Sequence, residues 1–212
     1  MQTFRKFTMG SLCLDGAVQI IGLTQENVPI ATILSCGDPA EITIEERLNQ
    51  PNSRKISWIK PRGRNIFLAD QTILSNVSWL TLFQQGYITG REITLNEHHF
   101  LCRVPTVDTK AERRSEFDDC LDIVGEDNEI WHWKGSEFWG QEHLGEPETS
   151  SHYTTAIIRG NTSPQAFTLG NITGRNGFCG FRPLLEPLPP AGVLPGKTVS
   201  LDGQKFHAAQ YL

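Results

Sequence analysis

The sequence lacks any apolar run long enough to span a membrane, and no stretch of signal-peptide type follows Arg5 and Lys6 near its beginning. It also lacks an excess of basic residues, since 19 lysines and arginines stand against 24 aspartates and glutamates, for a net charge of −5. Binders of the phosphate backbone usually have the opposite balance. We expect a protein that is cytoplasmic as synthesised, with no membrane partner and no nucleic acid as its default ligand.

Cysteine is scarce and irregularly spaced. The five cysteines are odd in number and form no C-x-x-C pair, so neither a disulfide framework nor a zinc knuckle is indicated, and most should be buried thiols: Cys13, Cys36, Cys102, Cys120 and Cys179. His98 and His99 are adjacent on a predicted strand, so their side chains point to opposite faces and cannot share an ion. No metal and no cofactor are predicted.

Signatures of catalysis are also missing. The pair Ser151-His152 lacks the G-x-S-x-G turn that exposes a nucleophile, and no glycine-rich loop precedes a helix as a phosphate site requires. The chain is therefore predicted to be non-enzymatic.

Hairpin patterns are present at three places. Residues 90–100 and 196–206 share an opening glycine, a basic second residue, alternating apolar positions and a closing phenylalanine, and residues 12–18 form a looser third copy. Asp202-Gly203 and, less well, Asn96 can supply the positive φ angles of a tight turn. The copies are too few and too unevenly spaced to form a solenoid.

Two helices are predicted between these hairpins. The first covers 76–85, with Ser75 or Asn76 as its cap and Gly86 as its stop, and the second covers 115–124, with Ser115 as its cap and Gly125 as its end. From Ile130 onward short strands are expected, including 156–159 and 165–169. We divide the chain into a β-rich extension (1–60), a main domain (61–190) and a Pro-rich linker with a final hairpin (191–212).

Two arginine signatures then suggest a family. Arg159-Gly160 and the closing run Gly177-Phe178-Cys179-Gly180-Phe181-Arg182-Pro183 resemble the end of the C-type-lectin-like fold, in the variant of the formylglycine-generating enzymes and related small bacterial and phage domains. The resemblance covers about 66–187 and also involves 68–70, 76–79, 100–103 and the run 131–133. It implies an α+β domain with two helices and a loop-rich mixed or antiparallel sheet, to which the hairpins are additions.

The closing run also has a physical explanation of its own. Gly177 and Gly180 allow close approach of backbones, while Phe178 and Phe181 supply apolar bulk. Arg159 and Arg182 are predicted to hold structure, the latter through its guanidinium fork.

The departures from the family concern function. Copper oxidation in the formylglycine-generating enzymes implies two cysteines between the arginine signatures, and this chain has only Cys179 there. Glu146-Pro147-Glu148 resembles a lectin calcium loop, but no Trp-Asn-Asp strand accompanies it, so we interpret it as an exposed turn. The resemblance therefore implies the scaffold without the oxidase activity.

Tryptophan clusters in 131–139, where Trp131 and Trp133 are expected to share a strand face and Trp139 to be exposed. Such rings stack on sugars or anchor protein partners, although they also fill lectin-like cores. The predicted ligand-binding residues lie on or near loops: Trp133, Phe138, Trp139, His143, Asn161 and Arg175.

These observations predict a bacterial or phage binding module that presents a loop surface to a protein or a glycan. Two alternatives remain open at this point. The chain could be a structural component of a phage tail, baseplate or similar particle, in which case it would be virion-associated and form a homo-oligomer or a larger assembly. It could instead be a phage-encoded inhibitor of a host protein.

Overall fold

The computed structural model describes residues 2–19, 38–47, 50–107, 115–145 and 154–189, and the backbone of 198–201 and 204–207. Within these ranges the chain forms sixteen strands and three α-helices. The α+β class is therefore confirmed. None of the described helices is long and apolar enough to cross a bilayer.

The larger sheet has six antiparallel strands, in the spatial order β1 (Phe4–Met9), β5 (Ile56–Pro61), β6 (Phe67–Ala69), β14 (Leu184–Pro187), β9 (His98–Arg103) and β8 (Arg91–Leu95). The predicted boundary between residues 60 and 61 falls inside β5, and β5 pairs with both β1 and β6. Segments from both sides of that boundary thus share one sheet.

The second sheet has five strands, in the order β12 (Ser163–Asn171), β11 (Thr155–Gly160), β10 (Glu137–Leu144), β13 (Cys179–Phe181) and β7 (Leu74–Ser75). It is mixed, because β13 runs parallel to β10 and the other pairs are antiparallel. The strands predicted at 156–159 and 165–169 are confirmed, and they pair with each other as β11 and β12.

The three predicted hairpins are also confirmed. They are β8 with β9, β15 (Thr198–Leu201) with β16 (Gln204–His207), and β2 (Ser11–Leu14) with β3 (Ala17–Val18). The strand β4 (Ile42–Glu45) pairs with the other side of β2. Asn96 and Glu97 both have positive φ angles, as a tight two-residue turn requires. The turn at Asp202-Gly203 lies outside the described residues.

Helix α1 (Trp79–Gln84) begins later than predicted. Ser78 caps it by accepting a 3.1 Å hydrogen bond from the Thr81 amide, so the predicted cap at Ser75 or Asn76 is wrong. Ser75 belongs to β7, and Asn76 has a φ of 59°. Gly86, with a φ of 83°, ends the helical segment as expected.

Helix α2 (Glu116–Val124) agrees with prediction, whereas α3 (Asn128–Trp131) was not foreseen. Ser115 accepts from the Asp118 amide at 3.0 Å and Gly125 follows α2 with a φ of 96°. In α3, Asp127 caps the amide of Glu129. The expected strand is therefore wrong at 130–133, where Trp131 and Trp133 do not share a strand face, although strands do follow from Glu137 onward.

Two apolar cores lie on opposite faces of the larger sheets, because successive strand residues point opposite ways. In β5, Trp58 belongs to the first core and Ile59 to the second; in β10, Trp139 belongs to the first and Phe138 to the second. Helices α2 and α3 contribute to the second core, whose buried members are Ile59, Ile66, Leu68, Val107, Phe117, Cys120, Leu121, Trp131, Phe138 and Leu184.

Candidate functional site

Arg182, just after β13, is buried in the second core with a relative exposure of 1%. Its guanidinium donates to the carbonyl oxygens of Ala69 (2.9 Å), Asp70 (2.7 Å) and Trp131 (2.8 Å). It also lies 5.2 to 5.4 Å from the centroids of three rings, those of Phe117, Trp131 and Phe138. Burial lowers the pKa of Arg182 to about 10, so the group stays charged at neutral pH. It therefore ties β6 to the end of α3.

The glycines of the closing run have different surroundings. A Cβ atom on Gly180 would lie 1.8 Å from the carbonyl oxygen of Leu74, so only glycine lets β13 approach β7. The same atom on Gly177 would meet nothing within 4 Å, so the close approach expected there is wrong. Phe181 is buried as expected, but Phe178 is exposed and adds nothing to the core.

Arg159, on β11, joins that strand to α2. Its guanidinium pairs with the carboxylate of Asp118 and lies 5.6 Å from the centroid of Phe117. Because Arg159 is itself buried, α2 is held across the face of β11 at this point.

Lys6, Asp70 and His132 form a polar cluster near Arg182. The Lys6 ammonium lies 2.9 Å from a carboxylate oxygen of buried Asp70. His132 follows α3 in the left-handed conformation, with a φ of 47°. Burial lowers the pKa of His132; Asp70 opposes this shift, while Arg182 and Lys6 reinforce it. Protonation of His132 would add positive charge beside two cations already there.

None of the four described cysteines exposes its thiol. Cys13, Cys102, Cys120 and Cys179 are buried free thiols, as expected, and burial raises the pKa of each of them. The described residues contain no cluster of three or more metal-ligating side chains. Cys36, the turn at 146–148 and the pair Ser151-His152 lie outside the described part of the chain.

Two predicted ligand-binding residues, Trp133 and Asn161, lie together. The Asn161 amide donates to the Trp133 carbonyl at 3.0 Å, and its side chain donates to the Glu137 carboxylate at 3.2 Å. Asn161 is exposed and Trp133 is half-buried, with its indole N–H donating to the Glu126 carbonyl at 2.8 Å. Both residues lie beside α3.

The predicted exposure of Trp139 is wrong. Trp139 is only 2% exposed, and its indole N–H donates to the Val77 carbonyl at 2.9 Å inside the first core. Phe138 is equally buried, in the second core. The physical reason is that β10 lies between two cores, so both faces of its first half are covered. Neither ring can contact a ligand from the surface.

His143 and Arg175 are exposed, but they lie beside α1 instead of α3. The His143 ring centroid is 5.1 Å from that of Trp79, the first residue of α1. Arg175 lies 3.9 Å from Asp38, whose carboxylate accepts a hydrogen bond from the Ser78 amide at the start of the same helix. The six predicted residues therefore do not form one surface.

The structure instead aligns apolar residues on one face of the five-stranded sheet. Phe167 and Leu169 of β12 are 56% and 50% exposed and stand two residues apart, directly opposite Arg159 and Ile157 of β11. Leu144, at the end of β10, is 59% exposed and lies opposite Thr155, which places it on the same face. We call Leu144, Ile157, Phe167 and Leu169 the β12 face.

Helix α2 lies along the inner border of the β12 face. It contacts β11 through Asp118 and Arg159, and beyond its end the carboxylate of Glu126 accepts a hydrogen bond from Gln165 of β12. Helix α2 thus leaves the exposed members of the β12 face uncovered. The sequence predicted β12 as a strand but not the exposure of Phe167 and Leu169. The alternation of apolar and uncharged polar residues at 165–169 was a signal that one face of this strand is apolar.

Comparison of the chain with protein-family models, curated proteins and solved structures finds no match. The resemblance to the lectin-like family stays a prediction.

Proposed function

We propose that this chain is a non-enzymatic recognition module that binds a partner protein through the β12 face. The observation that carries the proposal is the alignment of exposed Leu144, Phe167 and Leu169 on one face of one sheet. Single exposed apolar residues are ordinary on any protein surface, whereas contiguous ones are typical of interaction sites.

A protein fits this surface better than a glycan. Sugar recognition by stacking needs an exposed aromatic platform, and four of the five tryptophans are buried: Trp58, Trp79, Trp131 and Trp139. The β12 face is mainly aliphatic, and one phenylalanine is its sole ring. Burial of such side chains against an apolar partner segment is the standard source of affinity between proteins.

The charges around the β12 face indicate the chemistry of that partner. The border is formed by α2, whose Glu116, Asp118 and Asp119 already pair with Arg103, Arg159 and Arg64. The side chain of Glu126 lies against β12 itself. A segment with two or three apolar residues and a lysine or arginine that reaches Glu126 complements both the apolar face and this carboxylate.

The proposal is tested by selecting peptides from a random library displayed on phage, with the full chain immobilised. The wild type should enrich peptides that combine apolar and basic residues. The double variant Phe167→Ser/Leu169→Ser should lose this enrichment, because it removes most of the exposed apolar area of the β12 face.

Phe178→Ser is the matched control. Phe178 is also a phenylalanine about half exposed, but it lies in the turn before β13, so its replacement should leave the selected peptides unchanged. Equal enrichment by the wild type and the double variant, or no enrichment by either, would overturn the proposal.

A further inference from the structure

The outer strands of the two larger sheets differ in charge. β1 carries Arg5 and Lys6, and β8 carries Arg91 and Glu92. β7 is only two residues long. β12, the fourth outer strand, is nine residues long and contains no charged residue. Charge and shortness are common means by which proteins protect sheet edges from pairing with another chain, and β12 has neither.

From this difference we infer that β12 pairs with β12 of a second copy of this chain, antiparallel and about a two-fold axis at Thr168. The inference rests on the proposed function, because it names one partner of the same surface. Among the described residues no strand lies beyond β12, so its outer side can pair with such a copy, although the Ala166 amide already donates to the Ser163 hydroxyl. The two five-stranded sheets would then form one continuous sheet.

The sequence of β12 is self-complementary in this register. With Thr168 opposite Thr168, each Phe167 lies opposite Leu169 of the second copy, and each Gln165 lies opposite Asn171. Apolar side chains meet apolar side chains on the β12 face, whereas the amides of Gln165 and Asn171 already bond Glu126 and Thr173 within one copy. Pro164 lacks an N–H, so the pairing segment is 165–171.

Other registers match less well. A shift by one residue would place Phe167 opposite Thr168. A shift by two would pair Phe167 with Phe167 but leave Leu169 opposite Gln165, or pair Leu169 with Leu169 but leave Phe167 opposite Asn171. The absence of charge on β12 also means that no like charges face each other, although each copy carries a net charge of −5. A second copy therefore meets this edge without opposing like charges.

Light scattering coupled to size exclusion, run on the full chain from low to high micromolar concentration, tests the inference. The mass of the wild type should rise from that of one chain toward that of two. Thr168 is exposed and its side chain points away from the face that carries Phe167. Thr168→Lys or Thr168→Glu therefore places a charge at the two-fold axis and leaves the β12 face unchanged. Each variant alone should stay monomeric, since like charges meet at the axis.

An equimolar mixture of the lysine and glutamate variants should regain the mass of two chains, because opposite charges then meet at Thr168. Thr8→Lys is the matched control: Thr8 is an exposed threonine on the edge strand β1, and its replacement should leave the mass unchanged. Thermal melts show that each variant is folded.

Two results would overturn self-pairing: a wild type that stays at the mass of one chain at the highest concentration, or two Thr168 variants that both remain dimeric. A monomeric wild type that still enriches peptides through Phe167 and Leu169 would overturn self-pairing alone. A monomeric wild type with no such enrichment would overturn both proposals.

Discussion

The two ends of the five-stranded sheet are built differently. At the β13 end, a charged arginine is buried among three carbonyl oxygens and three aromatic rings, and a glycine lets two strands approach closely. At the β12 end, Phe167 and Leu169 face solvent. Polarity alone therefore does not decide which residues hold the fold together. We expect stability to depend on the first end and binding on the second.

The largest effect on stability is expected from Arg182→Met. Methionine fills similar space, but the carbonyls of Ala69, Asp70 and Trp131 lose their donor. Since each unsatisfied buried acceptor costs about 1–3 kcal/mol, the free energy of unfolding should fall by roughly 3 kcal/mol or more. Urea denaturation measures it. The stability of Arg182→Lys should lie between those of the wild type and Arg182→Met. A methionine variant as stable as the wild type would show that Arg182 does not fasten this end.

A smaller loss is expected from Gly180→Ala. The added methyl would collide with the Leu74 carbonyl, so β13 must move away from β7, and overpacking of this kind costs about 1–3 kcal/mol. Gly177→Ala is the control, because its methyl meets open space and should change stability by no more than about 0.5 kcal/mol. Equal effects of the two substitutions on the urea midpoint would contradict the packing described at Gly180.

The β13 end should also respond to pH through His132. Its pKa in the folded protein lies below the usual value of about 6.5, so the unfolded chain binds the proton more readily. Stability contributed by the neutral imidazole is therefore fully present above pH 6.5 and is lost as the pH falls from there through the lower pKa of the folded protein. His132→Asn keeps a residue that tolerates the left-handed conformation and removes the titration.

Urea denaturation of both proteins at several pH values between 5 and 8 checks this prediction, with about 6.5 as the reference pKa. The wild type should lose more stability than His132→Asn on acidification through this range. The same pH dependence in both proteins would remove His132 as its source.

Local features of the fold could be predicted from the sequence, while features that depend on strand order could not. Ser115 and Gly125 bounded α2 correctly because caps act within one turn. Helix α3 is a single turn of four residues, too short to show a helical period.

The site was harder to predict because exposure is decided by distant parts of the chain. Trp139 precedes a polar stretch and was expected at the surface, but two cores cover the first half of β10. β12 was recognised as a strand, yet its alternation says nothing about whether another strand lies beyond it. Its position at the edge follows from the pairing of β10, β11 and β13.

The smallest effect on stability is expected at the β12 end, where recognition can be separated from folding. The measurement is the free energy of unfolding of Phe167→Ser/Leu169→Ser by urea denaturation. Because both side chains are about half exposed, we predict a change of no more than about 1 kcal/mol, together with loss of peptide enrichment. A loss of about 3 kcal/mol or more, the scale of buried apolar residues, would show that these residues serve the fold instead of recognition.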